Sequence, residues 1–123
     1  MSEIVYLAAP YTDSDPLVMD MRFNWINQYV AECSNRGEVI FSPISMMHPV
    51  AKEHGLPRDW GFWGKFDEEF LRVCKKMRVL CLPGWITSVG VKEEEKLAAS
   101  LEKPIEYEST WVAENVLFVR RSQ

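Results

Sequence analysis

The chain has 123 residues, of which 47% are hydrophobic and 26% charged, enough for one domain with its own apolar core. Its formal net charge of −4 argues against a nucleic-acid polymer as partner, although one local anion site is compatible with it. No apolar run is long enough to span a membrane, no signal segment is recognisable, and the three cysteines lack a CxxC spacing. We therefore expect a cytoplasmic, non-membrane protein with reduced thiols.

The first half of the chain alternates between apolar runs and helical patterns. In chain order it predicts a buried strand over 4–9, a helix from 16 to about 36, a strand over 38–41, and an irregular or short-helical stretch over 44–58. Pro10 stops the first strand, and Gly37 ends the helix. Pro49 and the Gly55-Leu56-Pro57 segment act as breakers in the irregular stretch.

The second half continues the alternation. It predicts a helix from 59 to about 76, a strand over 77–82, a helix from 88 to about 101, a strand over 104–107, and a final strand over 116–119. Asp59 and Ser88 are suited to cap the two helices. This order predicts an α/β, Rossmann/flavodoxin-like three-layer fold with a four- to five-stranded parallel sheet, formed by a single domain over 1–123.

Ligands of such sheets bind beyond the carboxyl ends of the strands. Here those ends carry Pro10 with Tyr11, Ser42, and Trp85 after Pro83-Gly84, so we expect them to form the rim of a pocket. The alternative is that the prolines simply end strands. Five tryptophans in so short a chain indicate a stacking pocket, a subunit interface, or both.

Glu94 is an anomaly on the helix after Ser88. On a helical wheel it lies at the middle of the apolar stripe, whereas its acidic neighbours Glu93 and Glu95 lie to the sides. A carboxylate there must be protonated, paired, or facing a cavity. It is therefore a candidate nucleophile or general acid/base, the alternative being a charge that reaches water past a loosely packed edge.

Two further charged residues lie on apolar helix faces. Asp67 falls beside Phe70 and Cys74, where it either shares acid/base work with Glu94 or holds a backbone amide or a histidine. Arg22 faces inward near the start of the first helix. It either binds a phosphate or carboxylate, or lays its stem on the core and reaches water.

Other chemical signals are few. Ser88 and Gly90, at a helix start after a strand, either bind an anion or form a plain N-terminal cap. The chain contains neither a GxGxxG fingerprint nor a P-loop. His48 and His54 lack a metal-ligand spacing, so neither a metal nor a cofactor is expected.

Several segments together resemble the nucleoside 2-deoxyribosyltransferase superfamily, closest to small deoxyribosyltransferase-like proteins related to the 2′-deoxynucleoside 5′-monophosphate N-glycosidases. The matching stretches are YLAAPYT at 6–12, the arginine-bearing helix ending at Gly37, VIFSPISMMHP at 39–49, and VLCLPGWITSVGVKEEEKLAASLEKPI at 79–105. The resemblance implies that the glutamate of the G-x-x-x-E-x-x-x-A pattern, here Glu94, attacks or stabilises the anomeric carbon.

The resemblance also implies roles for other residues. Ser88 occupies the place of a serine that binds a 5′-phosphate. Asp67 occupies the place of an aspartate that assists departure of the base. Pro10 and Tyr11 lie where a loop contacts the sugar or phosphate. Ser42 and His48, within the segment 39–49, complete the substrate-binding set. The first loop lacks the glycines and arginine of the glycosidases, so the substrate stays open.

Two functions follow as expectations. The first is an enzyme that cleaves or exchanges the N-glycosidic bond of a (deoxy)nucleoside or nucleoside 5′-monophosphate, with Tyr11, Trp85 and Trp63 stacking on the base. The second is a non-catalytic nucleotide-binding module on the same fold. In both, the partner is a small nucleoside or nucleotide, and the resemblance implies a homo-oligomer.

Overall fold

The computed structural model describes residues 2–116. Its elements are β1 (Ile4–Ala8), α1 (Pro16–Asn35), β2 (Val39–Phe41), α2 (Pro43–His54), α3 (Trp60–Val73), β3 (Lys76–Leu80), a 3₁₀ turn (Trp85–Thr87), α4 (Val89–Ser100), β4 (Ile105–Glu108) and α5 (Thr110–Asn115). The strands form one parallel sheet in the order β2-β1-β3-β4. The predicted α/β fold with a four-stranded parallel sheet is therefore confirmed. Of the predicted final strand, Val116 ends α5, and 117–119 lie outside the described residues.

Helices cover both faces of the sheet. On one face, α1 and α5 pack on the apolar side chains of β1 and β3, with Ile26, Tyr29 and Trp111 in the core. On the other face, α3 and α4 pack on the alternate side chains of the same strands, with Leu71 and Val91 among the core residues. Because strand side chains alternate between faces, a central strand must be apolar along its whole length, as β1 is.

Local capping signals set most of the helix ends. The Asp15 carboxylate accepts from the backbone N–H of Leu17, and Pro16 occupies the first position of α1. The Asp59 carboxylate accepts from the N–H of Phe62, and the Ser88 hydroxyl from that of Val91. The starts of α1, α3 and α4 are thus where the sequence predicts them.

The stretch over 44–58 differs from the prediction. It contains a twelve-residue helix, α2, which passes through Pro49 rather than breaking there. Pro49 removes only one backbone hydrogen bond, while Ser42 caps the helix start and Gly55, at φ +64°, ends it. Only the second of the two expected breakers acts as one.

The helix predicted from 59 to about 76, α3 in the structure, is also shorter than expected. It ends at Val73, because Cys74 adopts an extended conformation and the chain enters β3 at Lys76. From Lys76 onward the strand pairs with β1, and from Met77 onward with β4. Among residues 2–116, no helix is both long and apolar enough to cross a membrane.

Candidate active site

A cavity of about 410 Å³ lies beyond the carboxyl ends of β1 and β3, the edge of the sheet where the sequence predicts a pocket. Its walls come from the loops after these strands and from the first turns of α3 and α4, together with the inner face of α2. All of the predicted site residues except Ser42 and Trp85 line it. Its volume is within the usual range for small-molecule sites.

Glu94 lies on the cavity wall, and its carboxyl group is almost completely buried, with 8% of the residue exposed. The hydroxyl of Tyr6, on β1, donates a hydrogen bond of 2.6 Å to Glu94 Oε2. Burial, and then the negative charge of Asp67, raise the pKa of Glu94 well above its ordinary value. The wheel position of Glu94 therefore marks a carboxyl that faces a cavity in the core, one of the alternatives predicted from the sequence.

Asp67, on α3, is the second buried carboxyl of the cavity wall. Within the described part of the chain, its Oδ1 atom is buried without any hydrogen-bond partner. It therefore does not hold a backbone amide or a histidine through that atom. Burial raises the pKa of Asp67 to about 7, although the Tyr6 hydroxyl acts in the opposite direction. A buried acceptor left unpaired beside a cavity is available to a ligand.

Tyr6 is absent from the site residues predicted from the sequence. It is completely buried, and its hydroxyl lies close enough to both carboxyls to affect their ionisation. Burial, followed by the charge of Glu94, raises the pKa of Tyr6 well above its ordinary value, so the hydroxyl remains a proton donor. The available signal was a tyrosine inside a fully apolar strand, because a buried tyrosine hydroxyl needs a polar partner.

Tyr11 and His48 meet on another part of the cavity wall. The Tyr11 hydroxyl is hydrogen-bonded to Nδ1 of His48, and Nε2 of His48 lies 3.3 Å from Oδ1 of Asp20, on α1. The His48 ring packs against Phe23 with ring centroids 4.3 Å apart. Asp20, which also pairs with Lys52 at 3.3 Å, is not among the predicted site residues.

Arg22 joins the two loops that frame the cavity. Its Nη1 donates to the carbonyls of Tyr11 and Thr12 at 3.2 and 3.1 Å, and its Nη2 donates to the carbonyl of Pro83 at 3.3 Å. The guanidinium lines the cavity and makes these three hydrogen bonds to backbone carbonyls, and anion binding by its remaining donors stays a prediction. It positions the loops after β1 and β3 relative to each other.

Ser88 caps α4, its hydroxyl accepting from the Val91 N–H at 3.2 Å, and both Ser88 and Gly90 line the cavity. The N-terminal cap is thus confirmed, and anion binding stays a prediction. Pro10 lines the cavity at the end of β1.

Two of the predicted site residues, Ser42 and Trp85, lie outside the lining of the cavity. Ser42 is buried as the cap of α2, where its hydroxyl accepts from the N–H of Ser45 at 3.1 Å. Trp85 packs against Tyr107, with ring centroids 5.5 Å apart, and against the α3–α4 face of the core. The backbone turns at Gly84, φ +94°, so Gly84 faces the cavity while Trp85 lies outside its lining.

The tryptophans that line the cavity are Trp60 and Trp63, at the start of α3. Trp63 was predicted as a stacking residue and Trp60 was not. The Trp63 indole N–H donates to the carbonyl of Pro57 at 2.6 Å, which fixes the ring. In residues 2–116, no group of three or more His, Cys, Asp or Glu side chains is arranged to hold a metal ion.

Fold and site together define a parallel α/β domain with two buried carboxyls in a cavity at the carboxyl edge of its sheet. Residues 3–109 match the family described as "Domain of unknown function (DUF1937)", and the chain belongs to that family. No curated protein matches the chain significantly.

Proposed function

We propose that the protein cleaves or exchanges the N-glycosidic bond of a (deoxy)nucleoside or nucleoside 5′-monophosphate. The observation that carries this proposal is the buried carboxyl of Glu94, held by the Tyr6 hydroxyl at 2.6 Å and placed on a cavity of nucleoside size beside Asp67. The sequence resemblance to the nucleoside 2-deoxyribosyltransferase superfamily points to the same glutamate.

The chemistry needs one carboxylate and one proton donor. When the C1′–N bond breaks, its electron pair leaves with the base, and positive charge develops at C1′. Glu94 stabilises that charge or forms an ester bond to C1′. Asp67 gives a proton to the departing base. Water then attacks C1′ in a hydrolase, or a second base does so in a transferase; the attacking group gives a proton to the Asp67 carboxylate, and the Glu94 carboxylate is released.

The surroundings of the two carboxyls favour this division of labour. The pKa values of both are raised, so near neutral pH the pair retains a proton and titrates as a unit. The Tyr6 hydroxyl donates to Glu94, which favours its ionised form. Asp67 Oδ1 is buried and unpartnered among the described residues, and an ionised oxygen there would cost more than a neutral one. We infer that in the reactive form Asp67 carries the proton and Glu94 is ionised.

The remaining walls suit the other parts of a nucleotide. Trp60 and Trp63 offer aromatic surface to a base. Thr87 and Ser88 offer hydroxyl groups, beside the N-terminal turn of α4, to a sugar or a 5′-phosphate.

The test is release of free base from a panel of nucleosides and 5′-monophosphates, measured by chromatography. We expect wild-type protein to release base, and Glu94→Gln to be slower by about 10²–10⁴-fold, because the amide neither attacks C1′ nor carries negative charge. Glu93→Gln is the matched control, since Glu93 lies on the same helix but pairs with Lys96 at the surface. Absence of release by wild type, or equal rates in the two variants, would contradict the proposal.

A non-catalytic nucleotide-binding module is the second candidate. The observation in its favour is that burial raises the pKa of Glu94, because a protonated carboxyl is not a nucleophile. This candidate predicts that nucleotides bind without turnover and that binding survives Glu94→Gln. The homo-oligomer and the cytoplasmic location stay predictions from the sequence.

A further inference from the structure

Three side chains from three segments form a line of polar contacts, a hydrogen bond and a close approach of charges, that ends at the cavity. Asp20 on α1 faces Nε2 of His48 on α2 at 3.3 Å, and Nδ1 of His48 is bonded to the hydroxyl of Tyr11, in the loop after β1. The chemistry proposed for Glu94 and Asp67 uses none of them, although Tyr11 and His48 both line the cavity.

The chemistry of the three groups sets the direction of the hydrogen bond between Tyr11 and His48. An ionised carboxylate only accepts, so the His48 nitrogen that faces Asp20 must carry the hydrogen. In the neutral imidazole the other nitrogen, Nδ1, is then an acceptor, and the Tyr11 hydroxyl must donate to it. With its proton directed to His48, the Tyr11 oxygen offers only lone pairs to any further partner.

Packing holds the three side chains in this arrangement. The His48 side chain is only 6% exposed and lies against the ring of Phe23. The other charged groups nearby are Lys52, which pairs with Asp20 at the surface, and Arg58, whose positive charge acts on Tyr11. Neither offers a hydrogen-bond acceptor to Nδ1, so His48 has no competing use for that nitrogen.

We propose that Asp20 and His48 position Tyr11 as an obligate hydrogen-bond acceptor, and that Tyr11 selects ligands presenting a hydroxyl group to it. This inference rests on the proposed function, within which the donor is a hydroxyl of the sugar. A nucleoside that lacks this hydroxyl leaves the Tyr11 oxygen without its partner. Loss of one such hydrogen bond in a binding site corresponds to about a tenfold weaker affinity.

The test compares binding of adenosine and uridine with that of their 2′-deoxy, 3′-deoxy and 5′-deoxy forms. Tryptophan fluorescence reports binding through Trp60 and Trp63, and the Glu94→Gln background prevents turnover. We expect one deoxy form to bind about tenfold more weakly than its parent nucleoside. In Tyr11→Phe the ratio of the two dissociation constants should fall to about one, because only the parent loses a hydrogen bond. An unchanged ratio in Tyr11→Phe, or no discrimination at all, overturns the inference.

The roles of Asp20 and His48 have separate readouts. Asp20→Leu removes the group that fixes the imidazole, so the ratio falls several-fold. The control Lys52→Met keeps the ratio, since Lys52 donates to Asp20 but not to His48 or Tyr11. We expect ¹⁵N NMR spectra of the unliganded protein to show, for the neutral imidazole of His48, hydrogen on Nε2 and none on Nδ1. Hydrogen on Nδ1 overturns the inference without reference to any ligand.

These outcomes separate the two proposals. Base release without a Tyr11-dependent preference contradicts only the selection by Tyr11. A Tyr11-dependent preference without base release contradicts only the catalytic proposal. Failure of every nucleoside to bind contradicts both.

Discussion

Tyr6, Glu94 and Asp67 place one hydroxyl and two acidic groups at buried positions, none of the three residues being more than 8% exposed. The energetic consequence is greatest for Asp67, whose Oδ1 has no partner among the described residues and whose pKa is raised from an ordinary 3.8 to about 7. A folded protein that holds such a group resists its ionisation. The residue that suits the proposed proton transfer is therefore also a source of instability at neutral and higher pH.

The sign of this effect gives a prediction for Asp67→Asn. The folded state raises the pKa of Asp67. The contribution of this group to the free energy of unfolding is therefore fully present below about pH 4 and is lost as the pH rises through about 7. We expect Asp67→Asn, which cannot ionise, to be more stable than wild type near pH 8 by roughly 2–4 kcal/mol. This advantage disappears near pH 4. Urea unfolding across this range measures the difference, and an advantage that does not depend on pH would contradict the prediction.

At the scale of elements, the loops after β1 and β3 are held together by the guanidinium of Arg22. Gly84 lies where this bridge meets the second loop: its φ is +94°, and an added Cβ would lie 2.8 Å from Nη2 of Arg22. A side chain at Gly84 therefore meets backbone strain and the guanidinium at the same time. Gly55 also has a positive φ, +64°, but apart from its chain neighbours no atom of residues 2–116 lies within 4 Å of its added Cβ.

This difference makes Gly55→Ala the control for Gly84→Ala. We expect Gly84→Ala to lower the free energy of unfolding by about 1–3 kcal/mol from backbone strain, and by more than Gly55→Ala because Arg22 must also move. In an Arg22→Met background the excess should vanish, since the displaced guanidinium is gone. Denaturant unfolding of the single and double variants gives the comparison. An excess that persists without Arg22 would show that the guanidinium contact is not its cause.

At the scale of the whole molecule, Arg78 links β3 to β4, to the residue before β2 and to α1. From β3 it donates to Glu38 before β2 at 2.8 Å, to Glu106 on β4 at 2.7 Å, and to the Tyr29 hydroxyl on α1 at 3.1 Å. The residue is only 9% exposed. Its hydrogen bond lowers the pKa of Glu38 from an ordinary 4.5 to about 2. The network thus stabilises the ionised carboxylates that surround a buried cation.

The network predicts a stability change opposite in sign to that of Asp67. Because the folded state lowers the pKa of Glu38, its contribution is present above about pH 4.5 and is lost as the pH falls through about 2. We expect Glu38→Gln to lower the free energy of unfolding at neutral pH by about 1–3 kcal/mol, since Arg78 loses a charged partner. The loss shrinks as the pH falls through this window, as thermal or urea unfolding would show.

Arg36→Gln is the control for this prediction. Arg36 also pairs with Glu38, at 2.9 Å, but its side chain is 56% exposed. An exposed ion pair contributes little to stability, because water screens its charges. Equal losses in Glu38→Gln and Arg36→Gln would contradict the assignment of the larger effect to Arg78.

Much of the fold could be predicted because its signals are local. An apolar strand followed by a capped helix repeats along the chain, and caps such as Asp15, Asp59 and Ser88 mark helix starts within a few residues. The sequence predicted only an irregular or short-helical stretch where α2 lies, because Pro49 is unfavourable by local rules. A capped helix packed on α1 tolerates the loss of one hydrogen bond.

The sequence by itself determined the parallel α/β architecture, the carboxyl edge as the place of the pocket, and Glu94 and Asp67 as acids on apolar helix faces. Those features follow from periodicity within single elements. The tertiary structure alone decided which groups meet: Tyr6 bonds to Glu94, 88 residues away, Arg22 to the loop at Pro83, and Trp85 turns from the cavity. Such pairings depend on how the strands and helices pack together, and no local pattern of residues records that packing.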